Sequence, residues 1–344
     1  MTVLFGTHAL YLDHETGLGH PERPDRLRAV ARGIEDADLA DALVVFSPRP
    51  ATRAELESVH SPDYLDATER FCAAGGGALD ADTTAGPCSW EAATLAAGAG
   101  VDAVERLDQG EADAAFLAVR PPGHHATPGR AMGFCLLNNV AIVSATLAGR
   151  GERVLIVDFD AHHGNGTQAA FYRDPRVLYV SMHQFPLYPG TGRLEETGEG
   201  AGAGTTINLP FPAGTAGDAY RAALDEVVVP AAESFAPTWV VLSAGFDGHR
   251  ADPLTDLGLS SGDFADLTGA VMGLVEPGRR IAFLEGGYDL EALAASAGAS
   301  LAALSGTSYR PEPATSGGPG ATVVEAARLG LEPGRIAGPP SGTR

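Results

Sequence analysis

The sequence predicts a single α/β domain, a mainly parallel β-sheet with helices on both faces and its site at the carboxyl ends of the strands. Three observations carry this. Short apolar runs recur at 114–119, 154–157, 177–180, 240–242 and 281–284, the one at 154–157 rich in β-branched residues. Each is too short for a typical helix and lacks a polar phase, as expected of a strand buried on both faces. Stretches of helical spacing lie between them, and strand alternating with helix argues a parallel sheet wrapped by helices. Each run also ends in polar, reactive residues, and in open sheets of this kind ligands bind at the carboxyl ends of the strands. With 344 residues, 44% of them apolar, the chain can bury a large core.

In chain order, Met1-Thr2-Val3-Leu4-Phe5-Gly6 reads as a first strand rather than a signal peptide, because no basic segment precedes a long apolar one. His20-Pro21-Glu22-Arg23-Pro24 reads as a charged turn, and residues 27–34 as helix. Residues 59–64 form a polar loop, and 73–87, rich in Gly, Ala and Asp, a longer one that reaches the rim of a site. Ala92, Leu95, Ala96, Ala99, Ala103 and Leu107 recur at helical spacing, a small-residue stripe that lets a helix lie close against a sheet. The strand at 114–119 ends in Arg120-Pro121-Pro122-Gly123-His124-His125. The one at 154–157 ends in Asp158-Phe159-Asp160-Ala161-His162-His163-Gly164-Asn165-Gly166-Thr167, and the one at 177–180 in Ser181-Met182-His183. Tyr220, Leu224, Val227 and Val228 are spaced as a helix. The strand at 240–242 ends in Ser243-Ala244-Gly245-Phe246-Asp247. Ser260-x-x-Asp263 resembles a capping box before the helical Phe264, Leu267, Val271 and Leu274. The strand at 281–284 ends in Glu285-Gly286-Gly287-Tyr288. From residue 311 the composition turns to Pro, Gly, Ser and Thr. The folded domain is therefore read as 1–310 and residues 311–344 as a loosely held tail, with one short helical pattern at 323–331.

A formal charge of −21 opposes a nucleic-acid partner, whose phosphates it would repel, and draws cationic substrates inward. All 23 basic residues are arginine, which excludes Schiff-base chemistry, a lysine general base and the lysine of a phosphate-binding loop. Cys72, Cys88 and Cys135 are odd in number, far apart and in no Cys-x-x-Cys pair, so they read as thiols of a reducing cytoplasm. No apolar run reaches the 18 or so residues that span a bilayer. The expectation is a soluble cytoplasmic protein with no membrane partner, and the sequence sets no oligomeric state.

The run from Asp158 to Thr167 concentrates the chemistry. If the strand stays extended, Asp158, Asp160 and His162 share one phase and converge, and carboxylates with an imidazole suit a divalent transition metal, zinc above others. Five of the ten histidines, His124, His125, His162, His163 and His183, fall at predicted strand ends. His8, His14 and His249 read as packing histidines. The tandem His124-His125 beside two aspartates offers one base and one electrostatic partner, with a carboxylate to fix a tautomer.

Together the motifs carry a resemblance. Arg120 to His125, Asp158 to Gln168, Ser243 to Asp247 and Glu285 to Tyr288 resemble the four signature blocks of the zinc-dependent histone deacetylase superfamily, which includes acetylpolyamine amidohydrolases and acetoin-utilisation proteins. His20 to Pro24 and Gly133-Phe134-Cys135 also match, so the resemblance spans roughly residues 5–305; Gly164-Asn165-Gly166 and Phe246-Asp247 resemble the class II branch and its bacterial relatives. It implies that Asp160, His162 and Asp247 ligate one catalytic zinc. His125 is implied as general base and acid, His124 backed by Asp158 as an electrostatic partner, and Tyr288 as donor to the oxyanion. Asn165 stands where class I members carry an aspartate, which gives the second histidine less support for its protonated form. The resemblance also implies potassium at Asp158, the backbone carbonyls of Asp160 and His162, and Ser181, with a second monovalent site by Phe171, Asp174 and Val177. Gly133, Phe134, Tyr188, Leu254 and Gly287 are the implied tunnel residues, with Phe134 and Tyr188 as walls that grip a linear aliphatic chain.

The expected function is a zinc-dependent amidohydrolase that removes acetyl, or a related acyl group, from an aliphatic primary amine such as acetyl-lysine. The alternatives are an acetylpolyamine or other small acylated-amine deacetylase and a catalytically silent protein that binds acylated ligands. A two-manganese ureohydrolase needs Asp-x-His-x-Asp, whereas the central motif here reads Asp-Ala-His-His. Some acetylpolyamine enzymes carry a glutamate at the rim after Asp-Pro to pair with a distant ammonium. Asp252-Pro253-Leu254 offers an apolar residue there and favours broad acyl-lysine-type substrates.

Overall fold

The computed structural model describes residues 1–330. Its first half contains β1 (Val3–Gly6), α1 (Asp25–Asp36), β2 (Leu43–Phe46), α2 (Arg53–Glu57), α3 (Pro62–Ala73), the short pair β3 (Gly77–Ala78) and β4 (Thr84–Ala85), α4 (Ser89–Asp108), β5 (Ala114–Leu117), α5 (Asn139–Gly149) and β6 (Val154–Asp158). The second half adds α6 (Asn165–Phe171), β7 (Val177–Gln184), β8 (Thr206–Phe211), α7 (Gly217–Ala223), α8 (Val229–Phe235), β9 (Trp239–Ala244), α9 (Ser261–Met272), β10 (Arg280–Leu284), α10 (Leu290–Ser305) and α11 (Ala321–Gly330). Eight strands form one sheet in the order β2-β1-β5-β10-β9-β6-β7-β8. All of its pairings are parallel.

Every residue of β5, β6, β7 and β9 is buried, which is why their sequences show no polar phase. Helices α1, α9 and α10 pack against one another, as do α4 and α5 in a separate layer. The small-residue stripe of α4 has the predicted use: a methyl on Gly100 would come within 2.5 Å of Phe283 on β10 and 2.9 Å of Val143 on α5. The predicted capping box is present, with Ser260 and Asp263 each bonding the other's backbone N–H at the start of α9.

The sheet holds more than the predicted strands. β8 escapes the sequence reading because Asn208 and Pro210 interrupt its apolar pattern; Asn208 is nonetheless buried and donates to Gln168 Oε1 at 2.8 Å. Pairing with β8 runs as far as Gln184 opposite Phe211, so His183 lies inside β7 rather than in a reactive tail. Its ring is occupied by Ser181 Oγ at 2.9 Å and Gly192 O at 3.0 Å.

The segment after residue 310 also differs from the loose tail that composition predicts. Glu312 accepts from His249 Nε2 at 2.7 Å and from the Ser261 N–H at 3.0 Å. Thr315 donates through N and Oγ1 to Asp263, and α11 buries Val324 and Ala327. A few polar anchors on a helix cap hold a segment that has too few apolar residues to announce itself. The rest of the predicted tail, 331–344, lies outside the described residues.

Candidate active site at the carboxyl edge of the sheet

Four neighbouring strands, β5, β10, β9 and β6, deliver their carboxyl ends to one place. β6 stops at Asp158, so strand alternation does not bring Asp158, Asp160 and His162 to a common point, as the extended reading expects. Instead the chain turns, and Asp158 faces the tandem histidines while Asp160 and His162 meet Asp247 from the end of β9. One ligand-type atom from each of Asp160, His162 and Asp247 lies within 4.8 Å of the others. His162 Nδ1 sits 3.2 Å from Asp160 Oδ1 and 2.9 Å from Asp247 Oδ2.

Backbone groups hold the outer lone pairs of these carboxylates. Asp160 Oδ2 accepts from the Gly286 N–H at 2.7 Å, and Asp247 Oδ1 from the Ala161 N–H at 2.8 Å. Gly286 has no substitute: a Cβ there would stand 2.3 Å from Asp247 Oδ2 and 2.6 Å from Asp160 Oδ2. Burial raises the Asp247 carboxyl to about 7, and the charge of Asp160 adds to it. His162 resists burial and rises to about 10 under the pull of Asp247 and Asp160. Buried oxygens and one imidazole nitrogen with excess negative charge are a donor set for a divalent transition metal, so the residues present fit one.

The tandem histidines divide by environment. His124 Nδ1 lies 3.1 Å from Asp158 Oδ2, and Tyr179 donates its hydroxyl to the same oxygen at 3.1 Å. Burial lowers the His124 imidazolium, but Asp160 and Asp158 outweigh it and lift it to about 10. His125 donates from Nδ1 to Asn165 Oδ1 at 2.8 Å, leaving Nε2 free. Burial, then the neighbouring His124 and His162, hold His125 well below the usual histidine range. The two rings are 4.0 Å apart, so one stays charged and the other neutral across neutral pH.

The walls come from the implied residues and from others that the sequence reading missed. Gly133 has φ +56 and passes so close to His125 that a Cβ would lie 2.3 Å from its ring, which sets Phe134 beside the site. The Phe134 ring meets Tyr288 edge-on at 5.7 Å and His20 at 4.6 Å. Its N–H donates to Thr83 Oγ1 at 3.1 Å, so the 73–87 loop does reach the rim. The Tyr188 ring lies 5.2 Å from that of His125, and Leu254 is 36% exposed on the loop that follows Asp247. Gly287 has φ +117 and leads into Tyr288, whose phenol burial holds well above its usual range.

Behind this wall lies a cluster that the motifs did not announce. Glu22, read as part of a charged turn, is fully buried with Arg120 and Arg26. Arg26 donates Nε to Gly287 O at 2.7 Å, also reaches Glu285 O, and stacks 5.0 Å over the Tyr288 ring. The signal was an arginine sharing the helix face of Leu27, Val30 and Gly33 in α1. Glu285 accepts from the N–H groups of Gly123 at 2.7 Å and His124 at 3.2 Å, and so ties the turn after β10 to the tandem histidines. Of the implied potassium residues, Asp158 and Ser181 face each other across β6 and β7. Around the weaker second position the Asp174 N–H donates to Phe171 O at 2.9 Å and the Val177 N–H to Asp174 O at 3.4 Å.

With this geometry described, comparison with known proteins is informative. A family model described as histone deacetylase domain matches residues 20–304. A probable deacetylase of Archaeoglobus fulgidus is 40% identical over 290 residues, covering 83% of this chain and 80% of that protein. The histone deacetylase-like amidohydrolase of Pseudomonas aeruginosa is 39% identical over 295 residues, 82% of this chain and 78% of that one. The crystal structure of the HDA15 HD domain superposes with a TM-score of 0.88 at 36% identity, covering 96% of this chain and 95% of that one.

Proposed function

This chain belongs to the histone deacetylase family, and on that premise we propose that it is a zinc-dependent amidohydrolase that removes an acetyl or related acyl group from an aliphatic primary amine of the acetyl-lysine type. The observation that carries the proposal is the convergence on one space of a largely buried carboxylate–imidazole–carboxylate triad, a neutral histidine beside a charged one, and a half-buried phenol. Asp160, His162 and Asp247 would hold the metal. Three protein ligands suit a catalytic rather than a structural site, and the nitrogen–oxygen donor set suits zinc. When bound, it supplies Lewis acidity for the amide carbonyl and acidifies water at neutral pH.

The protein's own groups then have distinct tasks. His125 takes a proton from the attacking water at its free Nε2 and returns it to the leaving amine nitrogen. Asn165 holds the ring by Nδ1, and an amide there supports the protonated imidazole less than a carboxylate would. His124, charged between Asp158 and Asp160, stabilises negative charge as it develops on the reacting carbon's oxygens. Tyr288 donates its hydroxyl to the oxyanion, and Phe134 and Tyr188 exclude water and align the alkyl chain, with Gly133 and Gly287 giving the backbone room. Potassium at Asp158, Asp160, His162 and Ser181 would tie the β6 turn to β7.

Leu254 supports the acyl-lysine class, since an apolar rim residue offers no partner for a second ammonium. The charge of −21 attracts polyamines without discriminating among them, and hydrolysis of acetylpolyamines is the second reading. No helix among the described residues is long and apolar enough to cross a membrane. The free thiols Cys72, Cys88 and Cys135 support a cytoplasmic location, and the net charge opposes a nucleic-acid partner. The test is a side-by-side measurement of kcat/KM for acetyl-lysine peptides and acetylated spermidine, with metal content by elemental analysis. We expect one zinc per chain and a preference for the peptides. Two manganese ions per chain at full activity, or more than about a hundredfold preference for the polyamine, roughly 2.7 kcal/mol, would overturn the reading.

A further inference from the structure

We infer that Asp252 is a positioning residue for Tyr288, a role that rests on the reading of Tyr288 as the oxyanion donor. The Asp252 side chain is buried and accepts only from backbone. Its Oδ2 takes the Tyr288 N–H at 2.7 Å and the Asp289 N–H at 3.4 Å, while Oδ1 takes the Leu254 N–H at 3.0 Å. One carboxylate thus joins two stretches far apart in sequence: the loop that follows Asp247 and the turn that carries the phenol.

Both stretches need an external anchor. Gly286 and Gly287 precede Tyr288, and Gly287 sits at φ +117, so no side chain of the turn itself restrains the tyrosine backbone. On one side Arg26 holds the carbonyls of Gly287 and Glu285 and faces the Tyr288 ring. That holds acceptors of the turn, and Asp160 takes the Gly286 N–H, which leaves the N–H groups of Tyr288 and Asp289. Asp252 takes those donors, and a charged acceptor makes the bond about twice as strong as a neutral one would. At its other end the Asp247–Thr255 loop is closed by the Thr255 hydroxyl on Asp247 O and by the His249 N–H on Phe246 O at 3.2 Å. Asp252 therefore fixes the height of the phenol relative to the strand end that supplies Asp247. A displacement of about 1 Å at a reacting centre costs on the order of a hundredfold in rate, so this coupling is large enough to measure.

The test is a double-mutant cycle on the full chain. Asp252→Ala is expected to lower kcat by about 10- to 100-fold with KM within about threefold, the parental metal content and a melting temperature close to the parent. Asp252→Asn, which keeps an acceptor oxygen, should recover part of the loss and serves if the alanine variant does not fold. The deciding readout is the affinity for a straight-chain hydroxamate, because it needs no turnover. Removing Asp252 should weaken that affinity about tenfold in the parent and less than about twofold in Tyr288→Phe, where the positioned hydroxyl is already gone. An equal loss in both backgrounds, or a loss that tracks metal release, would overturn the positioning role. Parental turnover by Tyr288→Phe alone would instead overturn the reading of Tyr288, so the two failures are told apart.

Discussion

Two buried ionic clusters lie within the same carboxyl edge and differ in one respect. Around Glu22 a single carboxylate meets Arg120 and Arg26, and the remaining guanidinium N–H groups reach Tyr11 O, His14 O and Gly287 O. Its charges are answered from within. Around Asp160 and Asp247 the surplus runs the other way: Asp158, Asp160, Asp247 and Glu285 are all buried, and the ionisable bases paired with the three aspartates are imidazoles, with no guanidinium against them among the described residues. Burial pushes every one of these carboxyls up, and the neighbouring charges decide which of them stay up. Glu22 accordingly drops to about 2 against its burial because Arg120 holds it, while Asp247 and Glu285 climb to about 7. A closed cluster reads as a structural clamp, and an open one as a site that expects a cation and a reaction.

The predictions set these clusters against each other. Asp247→Ala should remove the metal and lower kcat/KM by more than about four orders of magnitude, equivalent to about 5.5 kcal/mol, with the protein still folded by circular dichroism. Retention of stoichiometric zinc by that variant would break the assignment of the open cluster. Glu22→Ala should do the reverse: it leaves two guanidinium groups buried and unpaired and is expected to cost about 3 to 5 kcal/mol of stability in urea unfolding. A loss below about 1 kcal/mol would show that the closed cluster is not a clamp.

Tyr288→Phe lies at the seam between the clusters, since Arg26 faces its ring. It should lower kcat by about two to three orders of magnitude, or about 2.7 to 4 kcal/mol, with zinc retained. Near-normal turnover would take the phenol out of the mechanism.

Acid should open the closed cluster in two stages. His14 is held down to about 4 by burial, so its neutral form is preferred in the folded state; the stability it confers is complete above about 6.5 and is lost as pH falls toward 4. Glu22 titrates near 2 against an ordinary 4.5, so its contribution is complete above 4.5 and lost as pH falls through 2. Each of the two should remove roughly 3 kcal/mol, the first between pH 6.5 and 4 and the second between pH 4.5 and 2, read as the urea midpoint against pH; a flat profile would count against them. As a reference outside both clusters, Arg173→Ala breaks an exposed pair with Glu199 at 2.8 Å and should change stability by less than about 0.5 kcal/mol.

How far the sequence reveals each cluster follows from these balances. The open cluster was legible because its ligand-type residues crowd into short motifs at the ends of unmistakable strands: Asp160 and His162 are two residues apart, and Asp247 follows the end of β9 at Ala244. The closed cluster was not, since Arg120 lies 98 positions from Glu22 and each of Glu22, Arg26 and Arg120 looks like an ordinary surface charge by itself. The fold shows the same division. β6 and β9 are uniform apolar runs, whereas β8 carries a buried asparagine and the segment after residue 310 is held by Glu312 and Thr315 rather than by apolar bulk.

The sequence by itself determined the strand-and-helix alternation, the edge of the sheet on which the candidate site sits and the ligand-type residues gathered there, because periodicity and short motifs are local properties of the chain. Tertiary structure alone decided which charges would be answered. Asp158 turns to His124 rather than to the triad, Glu22 goes inward to two arginines, and Asp252 reaches Tyr288 across 36 positions of sequence. The physical reason is that a buried charge takes its energy from its nearest partners, and those partners are set by how strand ends converge in space.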